Sequence, residues 1–279
     1  MAEASGITLV EEPLNPWKAT STGVGEMILD AVQKGCRKFI IGIGGSATTE
    51  GGIGMLSALG YDFMDENGDR LSPVFDSLEK VVQIKNNRVP EVLKDCHFQI
   101  ACDVTNPLCG ARGCVYVFGA QKGVKEEEKE SMDRAMQSYA ACLEKFTGKK
   151  LSEIPGTGAA GGLGFAFLWG LPNVELKPGI DIVLEAVGLT NELKDADVVV
   201  TGEGCLDFQT AMGKVPVGVA KTAKNYNCKV IAFAGSVTEE AKNCNEKGID
   251  AFFSILPGVC SLDEAMDTET AQKLSLIHI

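Results

Sequence analysis

DVVVTGEGCLDFQTAMGK, Asp197 to Lys214, is the stretch on which the reading of the chain turns. Val198, Val199 and Val200 form a β-branched run of the kind a strand in a parallel sheet uses. The pattern predicts that the strand ends near Thr201. Gly202 and Gly204 would then open a loop where backbone approaches a ligand with no Cβ in the way. Glu203, Asp207, Gln209 and Lys214 follow within twelve positions. Ligands of open α/β sheets sit beyond the carboxyl ends of the strands, and two carboxylates, an amide and an ammonium there suit a polyanion with a divalent metal. The same letters also suit an ordinary strand–helix connection with solvated charges. A Walker A loop is excluded, because Val215 follows Gly213-Lys214 and no glycine stands at the required upstream position.

Around this stretch the alternation is regular. Helices are expected at 181–187, 215–225 and 238–247, and strands at 198–201, 229–234 and 250–255, which implies a parallel sheet covered on both faces. Upstream, the periodicity predicts a strand at 6–10, a helix at 23–34 closed by Gly35, a strand at 38–43 and a helix at 53–59. The middle has another character. Asn67-Gly68 signals a hairpin, strands are expected at 80–84, 98–103 and 113–118, and residues 125–146 form an amphipathic helix with Met132, Met136, Tyr139, Leu143 and Phe146 on one stripe. The fold class expected is α/β: a discontinuous, parallel-sheet Rossmann-like unit (17–61 and 178–273) with an inserted mixed α+β cap (1–16 and 62–177). The tail LSLIHI, 274–279, has neither cap nor periodicity; it reads as non-native, and His278 is set aside with it.

The totals exclude several function classes. The 279 residues carry a formal net charge of −12, which argues against nucleic-acid binding. No basic leader or spanning apolar run is found; GLGFAFLWGL, 162–171, reads as buried core, and a cytoplasmic location is the default. Cys96, Cys102, Cys109 and Cys114 fit no paired-ligand spacing for zinc and read as reduced core residues. With only His97 and His278 available, chemistry built on a Ser-His or Cys-His pair has almost no footing.

Three glycine-rich stretches are candidates for ligand contact. FIIGIGGSA, 39–47, matches a dinucleotide fingerprint, with Asp62 downstream for a ribose. It also suits an anion-binding nest in which the backbone of Gly44 and Gly45 and the hydroxyls of Ser46, Thr48 and Thr49 face a phosphate or carboxylate. CDVTNPLCGARG, 102–113, places Asp103, Asn106 and Arg112 on one loop, either for Mg²⁺ and an anion or for Asx-turn geometry alone. GTGAAGGLG, 156–164, with Gly158 and Gly161, suits close packing or a ligand.

Taken together, IGIGGSATTEGGIGML (41–56), ACDVTNPLCGARG (101–113), VFGAQKG (117–123), GTGAAGGLG, LKPGIDIVLE (176–185), TGEGCLDFQTAMGK (201–214), PVGVAK (216–221), AGS (234–236) and SILPG (254–258) resemble the bacterial glycerate kinase family. The resemblance runs from the first residues to about residue 265, and the chain looks like a copy lacking the family's first strands and its C-terminal end. It implies transfer of the ATP γ-phosphoryl to D-glycerate in an interdomain cleft, with 2-phosphoglycerate favoured, Mg²⁺ as cofactor and room for a homodimer. By the same resemblance, Glu203 or Asp207 would hold Mg²⁺ or take the hydroxyl proton, and Lys214 would stabilise the transferring group, with Gln209 beside it. Gly44, Gly45, Ser46 and Thr48 would cradle an anion. Asp103, Asn106 and Arg112 would close the site, lined by Gly158 and Gly161. The alternatives are an inactive fragment of such a kinase or an NAD-dependent oxidoreductase built on Gly42-x-Gly44.

Overall fold

The computed structural model describes residues 1–256, Gly258, Ser261, 267–269 and Lys273; the LSLIHI tail lies outside them. The chain is mixed α/β with parallel sheets and divides into two compact units, 1–179 and 180–279.

In the first unit, β1 (Lys38–Gly42), β4 (His97–Ala101) and β5 (Val174–Lys177) form a parallel sheet in the order β1-β4-β5. A separate antiparallel pair, β2 (Asp62–Met64) and β3 (Gln83–Lys85), stands beside it in sequence. The hairpin signal lies on a turn, where Gly68 (φ +81°) lets the chain reverse and Met64 bridges Arg70. The helix Thr22–Gln33 buries Val24, Ile28 and Val32 at four-residue spacing, and Gly35 at φ +94° follows its end. In the helix Lys129–Thr147, Met132, Met136, Tyr139 and Leu143 are buried, whereas Phe146 is 45% exposed on the last turn. Leu163, Phe165 and Phe167, on the apolar helix Ala159–Gly170, join Val24, Ile28, Phe98 and Ile100 in one core.

The grouping of segments therefore differs from the expected one. Residues 17–61 share a core and a sheet with 62–177, because β1 pairs in register with β4 from Lys38–His97 to Gly42–Ala101. Two expected strands are also helical or turned. Residues 6–10 form a 3-10 turn over Ile7–Leu9, with only Gly6 bridging Ser46. The run Cys114–Phe118 is an α-helix, since packing Cys114 and Val115 on the core overrides the β-preference of its valines.

A buried carboxylate organises the turn after β1. Glu50 is 0% exposed and accepts from the Ser21 N–H (2.7 Å), Ser21 Oγ (2.5 Å), the Gly52 N–H (2.7 Å) and the Gly54 N–H (3.2 Å). It thus ties the start of the helix Thr22–Gln33 to that of the helix Ile53–Ala58. Burial raises its carboxyl pKa more strongly than these donors lower it.

In the second unit, β6 (Val198–Leu206), β7 (Lys229–Val237) and β8 (Ala251–Ser254) are parallel in that order. β6 does not break at its glycines. It pairs with β7 as far as Leu206 opposite Val237, and a Cβ at Gly202 would lie 2.5 Å from the Phe233 carbonyl oxygen. The glycine serves close strand approach. The helix Val215–Lys224 buries Val217, Ala220 and Ala223 with Val230, Ala232 and Ala234 of β7, and residues 239–247 are 3-10 rather than α. The expected cover is one-sided among the described residues, since Val198, Val200 and Phe253 stay exposed.

Substituting Glu50→Gln would turn an NH₂ donor towards at least one existing N–H donor, whichever way the amide lies. Urea unfolding followed by circular dichroism is expected to show a loss of about 2–4 kcal/mol.

Candidate functional site

The first unit opens a pocket of about 370 Å³ at the carboxyl ends of β1 and β4. Ile43, Gly44, Gly45 and Ser46 follow β1 into it; Cys102, Asp103 and Val104 follow β4. Gly45 sits at φ +71°, and a Cβ on Gly44 would meet nothing within 4 Å, so this wall is bare backbone. Residues 5–7 brace it, with Ile7 N–H donating to Gly45 O and Ala47 N–H to Ser5 O. Ala160, also in the wall, adopts a left-handed conformation (φ 52°, ψ 40°) that a non-glycine residue seldom takes.

The dominant side chain here is Lys122. It is 3% exposed, and its Nζ donates to Ser46 Oγ (2.7 Å) and to the Thr48 carbonyl (2.6 Å). Burial lowers its pKa to about 8, against an opposing pull from Cys114 and Glu50. Thr48 itself is buried, with its Oγ1 unpaired. Asp103 Oδ1 accepts from the Gly179 N–H (2.9 Å).

Other candidates on this unit serve backbone geometry. Asn106 Nδ2 donates to the Arg112 carbonyl (2.8 Å), and the Asn106 carbonyl accepts from the N–H groups of Gly156 and Gly158. Arg112 is exposed and stands outside the pocket lining. Gly158 and Gly161 do not line it either; a Cβ on them would lie 2.2 Å from Pro107 O and 2.1 Å from Thr48 O. Asp62 lies on an antiparallel strand and is held by Arg88 and Arg70, which places its carboxyl below the usual range through the Arg88 hydrogen bond first. The dinucleotide fingerprint thus lacks its ribose-binding acid, and the helix after Gly44 begins only at Ile53.

In the second unit, the buried Thr210 (0% exposed) joins the two carboxylates. Its hydroxyl donates to Glu203 Oε1 and accepts from the Asp207 N–H (3.1 Å), while Asp207 Oδ1 accepts from the Thr210 N–H (3.0 Å). Asp207 caps the short helix Phe208–Ala211. Its carboxyl is held below the usual range chiefly by the Thr210 N–H, which outweighs the opposing effect of burial, and the charge of Lys214 adds to the lowering. Gln209 and Lys214 are exposed. Lys122, Glu50 and Thr210 were not singled out by sequence; the signal for Lys122 lay in VFGAQKG, where a lysine follows an apolar run between two glycines.

A profile of the glycerate kinase family matches residues 1–277. The chain belongs to the glycerate kinase family. It is 43% identical over 268 residues to a glycerate kinase of Bacillus subtilis, an alignment covering 96% of this chain and 70% of that relative. It is 44% identical over 266 residues to the glycerate 2-kinase of Escherichia coli, covering 95% and 70%. The crystal structure assigned as glycerate kinase 2 from Salmonella typhimurium LT2 superposes with a TM-score of 0.84 at 40% identity, over 99% of this chain and 74% of that one. No helix of the described residues is long and apolar enough to cross a membrane.

Lys122 gives the family member a testable pH signature. Between about pH 8 and the ordinary lysine range the unfolded chain holds a proton that the folded chain has released, so stability rises with pH through that window. Denaturation at pH 7, 8.5 and 9.5 is expected to show this rise in the unaltered chain relative to Lys122→Met, which lacks the titrating amine.

Proposed function

We propose that this chain phosphorylates D-glycerate with ATP in a Mg²⁺-dependent reaction, giving 2-phosphoglycerate. The observation that carries the reading is the convergence of Glu203 and Asp207 on Thr210, whose hydroxyl donates to the Glu203 carboxylate and whose N–H donates to the Asp207 carboxylate. Mg²⁺ in kinases takes one or two carboxylates and completes its shell with water and phosphate oxygens, so two carboxylates held by one threonine fit that ion. Bound there, it would neutralise charge on the transferring phosphoryl group. Glu203 and Asp207 would act as its ligands. Thr210 fixes both and keeps Asp207 ionised, and Lys214 and Gln209 offer an ammonium and an amide to phosphate oxygens. On the first unit, Gly44, Gly45 and Ser46 form the anion-binding wall, and Asp103 accepts the hydrogen of the acceptor hydroxyl. Such chemistry needs positioning and cations rather than a histidine.

Support for the acceptor comes from the relatives, which carry the name glycerate kinase, and for the 2-hydroxyl from the name of the Escherichia coli relative at 44% identity. The experiment is glycerate-dependent ADP release with and without EDTA. Activity is expected to vanish on chelation and to return with added Mg²⁺. Asp207→Asn is expected to lower turnover about a hundredfold or more; unchanged turnover in a folded variant would remove Asp207 from the metal site.

A further inference from the structure

We propose that the first unit's pocket is a carboxylate subsite for a small hydroxy acid, with Lys122 and Ser46 as the groups that bind the anion. This rests on the kinase reading above and assigns the carboxylate of D-glycerate to that pocket.

Lys122 carries a buried charge with no direct counter-ion among the described residues, since Glu50 acts on it only without hydrogen-bond contact. Among the described residues, the Lys122 ammonium has no carboxylate oxygen within ion-pair distance, although it is 3% exposed. Its two protein partners, Ser46 Oγ and Thr48 O, are neutral acceptors. A buried cation without a counter-ion is costly, and an arriving anion would remove that cost. Donor counting points to the same place. An ammonium has three N–H donors, of which two are used. Ser46 Oγ receives one of these, so its own O–H proton is left to point elsewhere. Both residues line the pocket, which therefore offers two spare donors beside the backbone of Gly44 and Gly45.

Charge and size then decide which anion. The charged side chains lining the pocket are Lys122 and Asp103, one of each sign. A triphosphate would face the Asp103 carboxylate with a single ammonium to balance it. A monocarboxylate bearing hydroxyls uses both: the anion on Lys122 and Ser46, a hydroxyl donating to Asp103. The volume of about 370 Å³ lies at the small end of ligand pockets, roughly 300–1,000 Å³.

The test is calorimetric titration of the whole chain, without nucleotide, using D-glycerate, glycerol and inorganic phosphate, with Mg-ATP titrated separately. D-glycerate is expected to bind, and glycerol, which lacks the carboxylate, at least about tenfold more weakly. In Lys122→Met the glycerate affinity is expected to fall about tenfold or more and KM for glycerate to rise with it, with KM for ATP unchanged. Should that variant fail to fold, Ser46→Ala and the ligand comparison on the unaltered chain decide the question. Equal binding of glycerol and glycerate, an unchanged glycerate affinity in a folded Lys122→Met, or a loss of ATP rather than glycerate affinity would each overturn the assignment. Displacement of glycerate by phosphate at equal concentration would mark a phosphate site and overturn it too. Glycerate binding without any glycerate-dependent ADP release would instead count against the kinase reading and leave the subsite standing.

Discussion

The first unit depends on two buried charges that grip the same segment of chain from different elements. Glu50 gathers the N–H groups of Ser21, Gly52 and Gly54 at the point where two helices begin. Lys122, from the far side of the sequence, holds Ser46 and Thr48. The two are not hydrogen-bonded to one another, yet the Glu50 charge favours the charged lysine. Between them, residues 46–54 have little freedom left, so the bare backbone of Gly44 and Gly45 is presented in a fixed form. A wall of glycines would otherwise be the least rigid part of any pocket.

How much of this was legible depends on what each residue type does to its neighbours. The helices 22–33 and 129–147 could be read because Val24-Ile28-Val32 and Met132-Met136-Tyr139-Leu143 repeat at helical spacing and each helix runs into a left-handed glycine. Strand pairing carries no such local mark. Nothing in KFIIG says that its partner is HFQIA rather than the valines of 198–200, so sequence alone does not decide which half of the chain segment 17–61 joins. Glycines misled for a related reason. Gly202, Gly158 and Gly161 mark places where backbone meets backbone, and sequence does not separate that role from contact with a ligand.

The candidate site was legible where it lies just after a strand. Gly44, Gly45, Ser46 and Asp103 could be grouped because the carboxyl ends of parallel strands converge, whereas Glu203 lies within β6 and only Asp207 follows that strand, which the run of valines did not mark. Lys122 was harder to read, because the apolar run and glycines of VFGAQKG mark a turn but do not say that the lysine in it is buried. Only the packing of Cys114 and Val115 on the core, which turns Cys114–Phe118 into a helix, carries that ammonium inward.

The two sheets also differ in how the chain must be made. In the second unit, β6 ends at residue 206 and β7 begins at 229; β7 ends at 237 and β8 begins at 251. Each strand meets its neighbour after a short detour. In the first unit, β1 ends at 42 but waits for β4 at 97, and β4 waits for β5 at 174. Long detours slow folding, because loop closure precedes the contacts that reward it. During synthesis, β1 has no partner until β4 is made, and one edge of β4 has none until more than seventy further residues have been added, so each is open to mispairing for its own interval. The first unit, although made first, is the slower of the two to close its sheet.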